Sequence, residues 1–162
     1  EKWLDVLPIE NYDFGFRFKI QQVPETAAPL FTICVNGDKP ALAAHGLSHT
    51  RMRSGRWITL RVGEDGKWQC AIRTVGDGWE MSDGVKQTVA SQSADTRWHR
   101  FRAKVHKGRI RVFLDDQMVL QAEGSSRLLQ AVALHVGEPA ETVGLLELDD
   151  ILVAEAVADE TP

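Results

Sequence analysis

Four acids crowd one short stretch of the chain: Glu147, Asp149, Asp150 and Glu155, set in E-L-D-D-I-L-V-A-E. On an extended strand alternate side chains share a face, so Glu147 and Asp149 point the same way. Two carboxyls held about 5–5.5 Å apart, one as nucleophile and one as acid/base, are the equipment for cleaving a glycosidic bond with retention. Here the next position of that parity is Ile151, position 152 is Leu, and Glu155 lies too far along the strand to serve Glu147. The carboxylate pair is incomplete. The stretch reads as a closing strand with a solvated bulge at Asp149-Asp150, which brings Leu146 and Leu148, and then Ile151 and Val153, back to one apolar side.

Other chemistries fare no better. Ser48, Ser125 and Ser126 stand outside any G-x-S-x-G elbow. The five histidines, at 45, 49, 99, 106 and 135, recur at no fixed spacing, and His99 is expected half-exposed at a strand start. Cys34 and Cys70 lie in strand-like runs without a CxxC or HxxxH partner, which excludes a zinc site. They read as two buried free thiols, or else as a disulfide between neighbouring strands and a sign of an oxidising compartment. Aspartates at 38, 77, 83, 115, 116, 149 and 150 fall at turns, where aspartate serves local backbone hydrogen bonds. No cofactor is implied by these residues.

The elements that would carry any site are strands. From 97 to 123 the chain reads RWHRFRAKVHKGRIRVFLDDQMVLQAE. Phe101, Ala103 and Val105 face one way and Arg100, Arg102, Lys104 and His106 the other. After Lys107-Gly108, Ile110, Val112 and Leu114 face in, with Arg109, Arg111 and Phe113 outward. Period-two alternation broken by short turns predicts a β-meander buried on one face. Residues 1–11 read as a lead-in with Trp3 and Leu7 as apolar anchors. A half-buried strand follows from Tyr12, with Phe14, Phe16, Phe18 and Ile20 inside. Further strands are expected at 30–35, 41–45, 56–62 and 67–75, with a weaker edge strand at 85–91 and closing strands at 130–136 and 143–155. Asn36-Gly37 is a strong hairpin-turn signal. Ser126 to Leu134 offers one short helical turn at most.

These short strands in one domain over 1–162 imply two antiparallel sheets packed face to face, because a single open sheet would leave an apolar side in water. The chain has 162 residues, 43% of them hydrophobic and 26% charged, as in ordinary water-soluble domains. A net charge of -4 gives no reason to expect nucleic acid. No apolar run approaches the roughly 20 residues of a membrane helix. The start lacks a charged segment followed by an apolar one, so any signal peptide is already removed or was never there.

Trp98-His99 opening a strand, the Lys107-Gly108 turn, the I-R-V-F-L-D run to Asp115 and the return at 118–120 resemble the concanavalin A-like superfamily. More closely, they are similar to laminin-G-like domains, and L-D-D-I-L-V at 148–153 resembles that family's terminal strand. The resemblance covers the second half of the chain well and the first half by strand pattern only. At Asp116-Gln117 this sequence departs from the glycine the family carries near the turn. The resemblance implies an all-β, two-sheet antiparallel jelly-roll sandwich and a secreted, periplasmic or cell-surface setting. Jelly-roll glucanases carry E-x-D-x-E on one strand, a pattern that Ile151 breaks. Some members hold calcium, so the implied cofactor is none, with calcium left open and no ligand named.

The leading expectation is a non-catalytic carbohydrate-binding or adhesion module. A glycoside hydrolase or lyase of the same superfamily is one alternative, and a protein–protein interaction domain of a larger secreted protein is another. From Arg97 to Arg111 every formally charged residue is basic, and like charges facing each other across strands need an anion nearby. Acids from the segment after Glu138, which carries no bases, supply one answer. An acidic glycan read by arginine forks supplies the other. Sugar rings stack on exposed aromatic faces, so the ligand-binding candidates are Trp57, Arg61, Trp79, Arg102 and Arg111. Trp68 and Trp98 are expected in the core.

Overall fold

The run Y-D-F-G-F-R-F-K-I shows how the sandwich is made. It forms β2 (Tyr12–Ile20), with Tyr12, Phe14, Phe16, Phe18 and Ile20 buried and the four residues between them turned outward. A computed structural model describes residues 2–9, 11–37, 55–75, 86–123, 129–135 and 146–155. The other strands there are β1 (Lys2–Ile9), β3 (Ala28–Gly37), β4 (Gly55–Val62), β5 (Lys67–Val75) and β6 (Lys86–Ser93). β7 (His99–His106), β8 (Arg109–Leu114), β9 (Gln117–Glu123), β10 (Leu129–His135) and β11 (Leu146–Glu155) complete them. No helix occurs among the described residues.

Two antiparallel sheets result, one ordered β1-β10-β3-β4-β5-β6 and the other β11-β2-β7-β8-β9. Their inner faces meet in an aromatic core. Phe16 stacks on Phe101 at 5.5 Å and meets Phe31 edge-on at 4.9 Å. Phe18 meets Trp68 edge-on at 5.5 Å. Each such ring, taken fully from water, contributes about 1.5–3 kcal/mol.

The meander β7–β8–β9 forms as the alternation predicts, and β6 lies at a sheet edge as expected. Its turns use positive φ: Lys107 (47°) with Gly108 (76°), then Asp115 (49°) with Asp116 (65°). Two successive positive-φ residues match the right-handed twist of the flanking strands. Residues 2–9 are not a lead-in but a strand, β1, antiparallel to β10 from Lys2–Leu134 to Ile9–Leu129. Its partner arrives from the far end of the sequence, so no hairpin signal marks it, and Pro8 is tolerated on an edge strand where the register shifts.

The bulge at Asp149-Asp150 is present. Asp149 pairs with Arg17 and Leu152 with Gly15, one extra residue on β11, and Asp150 takes φ 52°. Leu146, Leu148 and Val153 pack against the core, whereas Ile151 is exposed, contrary to expectation. The extra residue turns Val153 inward and leaves Ile151 outside with Leu152.

Cys34 on β3 and Cys70 on β5 are separated by β4. Two strand spacings of about 4.8 Å exceed the roughly 7 Å Cα limit for a disulfide. Cys70 is a free, buried thiol, and burial pushes its pKa up to about 12. Asn36 and Gly37, expected to form a hairpin turn, are instead the last two residues of β3, Gly37 pairing with Ala131 of β10. The strand at 41–45, the basic loop before 55 and the run at 79–81 lie outside the described residues.

Candidate functional site

The basic residues collect on the outer face of the five-stranded sheet. Register sets Lys104 opposite Arg111 and His106 opposite Arg109. On the other flank of β7, β2 sets Arg17 opposite Arg100, Gly15 opposite Arg102 and Asp13 opposite Lys104. β11 then adds Asp149 beside Arg17, Leu152 beside Gly15 and Ala154 beside Asp13.

A groove of about 660 Å³ opens over Gly15, its walls including Asp13, Arg17, Arg100, Arg102, Asp150 and Leu152. A glycine suits the close approach there. A Cβ at position 15 would stand 3.0 Å from the carbonyl oxygen of Phe101, so its absence lets β2 lie tight on β7 and keeps the groove floor low.

Charge in the groove is only partly answered. Arg102 Nη2 donates to Asp13 Oδ2 at 3.1 Å, and its guanidinium lies 5.7 Å from the Phe113 ring centre. Asp13 Oδ1 is buried with no hydrogen-bond partner among the described residues. Arg17 sits 5.0 Å over the Trp98 ring and reaches Asp150 at 3.8 Å, too long for a hydrogen bond. The Arg100 guanidinium makes no ion pair among the described residues. Acids of β11 therefore do approach the basic face, as one expectation had it, but they reach Arg17 rather than Arg100 or Arg102.

A buried bridge holds the β7 end of this groove. His99 is 5% exposed, packed against Phe18 and Trp68. Its Nδ1 lies 2.7 Å from Asp115 Oδ2 and its Nε2 2.7 Å from Asp95 Oδ1. Each ring nitrogen thus faces one carboxylate. Asp115 Oδ1 also accepts from the Arg100 backbone N–H at 2.8 Å, which ties the turn between β8 and β9 to the strand bearing the arginines. Burial disfavours charge on Asp95, yet hydrogen bonds from Arg97, side chain and backbone, and from His99 outweigh it and hold its pKa at about 2. The half-exposed His99 read from the sequence is corrected: it faces the core, and both nitrogens have partners.

No family model and no curated protein matches the chain. Solved structures do. Carbohydrate-binding module CBM66 from Bacillus subtilis is 12% identical, with 96% of this chain and 91% of that one covered at a TM-score of 0.59. A tetrameric galectin from the ball sponge Cinachyrella sp. is 8% identical, covering 96% and 99% at 0.62. The fold is a concanavalin A-like jelly roll. Chicken galectin 2, at 8% identity, 94% and 97% coverage and a TM-score of 0.59, has the same likeness. At these identities what is shared is the fold.

On this jelly roll four of the five residues proposed from the sequence can be placed, and they divide between two outer faces. Trp57 and Arg61 lie on β4 of the six-stranded sheet, Trp57 half-buried with Nε1 unpartnered among the described residues, Arg61 exposed. Arg102 and Arg111 lie on the five-stranded sheet, and of these four described residues only Arg102 lines the groove. Trp79 lies outside the described residues. Trp98 is not in the core: it is 39% exposed, while Trp68 is fully buried. Asp13, Arg17 and Asp150 were missed because they lie on β2 and β11, distant in sequence from the basic meander that carries Arg100. Gly15 inside an aromatic strand is the one local signal of a close approach that pointed to them. Among the described residues no group of three or more His, Cys, Asp or Glu is placed to hold a metal.

Proposed function

We propose that this jelly roll is a non-catalytic carbohydrate-binding module, acting outside the cytoplasm, that takes an acidic glycan in the groove over Gly15. The observation that carries the reading is the meeting there of Arg17, Arg100 and Arg102 with the apolar side chains of Ile151 and Leu152 and with exposed Trp98 alongside. Guanidinium forks bind carboxylate or sulfate, and flat apolar surface receives the face of a sugar ring. That the neighbouring folds include a carbohydrate-binding module and galectins supports the same choice.

A hydrolase is favoured less by this geometry. The groove's acids are Asp13 and Asp150, and Asp150 stands next to the partner of Arg17, four residues along β2 from Asp13. Each is engaged by an arginine, Asp13 by Arg102 and Asp150 by Arg17, rather than set against the other.

A glycan array probed with the purified domain, with calcium and again with EDTA, tests the proposal. Binding to acidic glycans that weakens in Arg102→Ala and Trp98→Ala but not in Trp57→Ala supports this groove. Binding lost in EDTA adds calcium to it. A blank array under both conditions refutes the module and moves the weight to a protein partner.

A further inference from the structure

We infer that Arg17 and Arg100 form an anion subsite of the groove whose resting occupant is the carboxylate of Asp150. This rests on the carbohydrate reading above and specifies which chemical group on the sugar is read, and by which residues. Arg17 and Arg100 are direct cross-strand neighbours, both directed outward. Like charges in that position destabilise a sheet unless an anion lies between or beside them. Two carboxylates of β11 lie beside them: Asp149, the cross-strand neighbour of Arg17, and Asp150, which lines the groove and contacts Arg17 at 3.8 Å; neither pairs with Arg100. A carboxylate or sulfate seated on both guanidiniums would make shorter, forked hydrogen bonds than that contact does.

The surroundings suit such a group. Arg17 is laid over Trp98 at 5.0 Å, which fixes its plane. Arg100 is fixed at its backbone by Asp115 Oδ1 at 2.8 Å. Asp150 reaches over β2 because the extra residue of the bulge, at φ 52°, re-aims it. Beside it Ile151 and Leu152, 38% and 57% exposed, give the groove an apolar lip. The ligand that fits is a sugar bearing one carboxylate or sulfate with a ring face against that lip. To bind, its anion must displace Asp150. Asp150 thus sets selectivity: it weakens every anionic ligand by the same competition and leaves neutral ones untouched.

The test compares wild type with Asp150→Asn, which keeps shape and tolerates positive φ, and with Arg100→Gln. Titration calorimetry uses cello-oligosaccharides that are neutral, oxidised at C6 to carboxylates, or sulfated. NMR follows the Arg17 and Arg100 Nε–Hε signals with inorganic sulfate alone. Asp150→Asn is expected to tighten the anionic sugars roughly two- to five-fold, the range of one exposed ion pair, without changing the neutral one. Arg100→Gln is expected to weaken the anionic sugars by a similar factor. Whether the carboxylated or the sulfated sugar binds wild type more tightly identifies the anion. Anionic sugars that bind equally well to wild type and Asp150→Asn overturn the subsite while leaving the carbohydrate reading intact. If no sugar binds but sulfate moves both arginine signals, more in Asp150→Asn, the subsite stands and the carbohydrate reading falls. Sulfate that moves neither signal overturns the subsite whatever the sugars do.

Discussion

Replacing His99 with phenylalanine isolates the bridge that supports the groove. The ring's place between Phe18, 5.5 Å away, and Trp68, 5.1 Å away, stays filled, while both hydrogen bonds are lost. Each is a bond to a charged group, worth about 1.5–3 kcal/mol, so the pair sums to about 3–6 kcal/mol before solvation is counted. The Asp95 and Asp115 side chains are 33% and 36% exposed, so each carboxylate regains water when the imidazole goes. Discounting by half for that screening leaves a loss of about 1.5–3 kcal/mol. For a domain of this size that corresponds to a fall in Tm of about 3–12 °C. Urea unfolding followed by tryptophan fluorescence measures it as a lower midpoint at unchanged slope. Adding Asp115→Asn closes a double-mutant cycle, in which a coupling of about 1 kcal/mol or more is expected. A loss under about 0.5 kcal/mol, or strictly additive effects, refutes the idea that the bridge holds the start of β7.

Two further outcomes follow from the same end of the molecule. Asp95 is held at about 2 against an ordinary 3.8, so the folded state binds fewer protons than the unfolded one. Its contribution is present above pH about 4 and is lost as pH falls toward 2; acid titration of stability is expected to steepen in that window for wild type and flatten for Asp95→Asn. Asp116, at φ 65°, stands where the turn suits glycine, and Asp116→Gly is expected to raise stability by up to about 1 kcal/mol in the same urea assay. A neutral or negative change there means that the left-handed aspartate carries no strain.

The meander was legible because each of its strands pairs with the next, so alternation and turn chemistry lie side by side in the text. The same held for β2, whose inward residues announce one buried face. β1 escaped because its partner, β10, lies over a hundred residues away and no local pattern records such a pairing. Parity failed where a single residue slipped. Trp98 was assigned inside and Ile151 inside, yet one lies before a strand begins and the other just past a bulge, where alternation no longer fixes direction. The basic half of the groove was visible as a run of like charge. Its other half, Asp13, Arg17 and Asp150, was not, because β2 and β11 meet β7 only in the folded sheet.

Asn11 accepts a hydrogen bond from the Lys107 backbone across 96 residues of chain. That single span says how the molecule must come together. β2 sits between β7 and β11, and β3 between β10 and β4, so neither sheet is complete until the last two strands exist. A ribosome releasing this chain from its N-terminus exposes the aromatic face of β2 long before its covering strands are synthesised. Closure of these long loops, added to the local hairpins, is expected to slow folding. During that interval the exposed β2 is the segment a chaperone would shield.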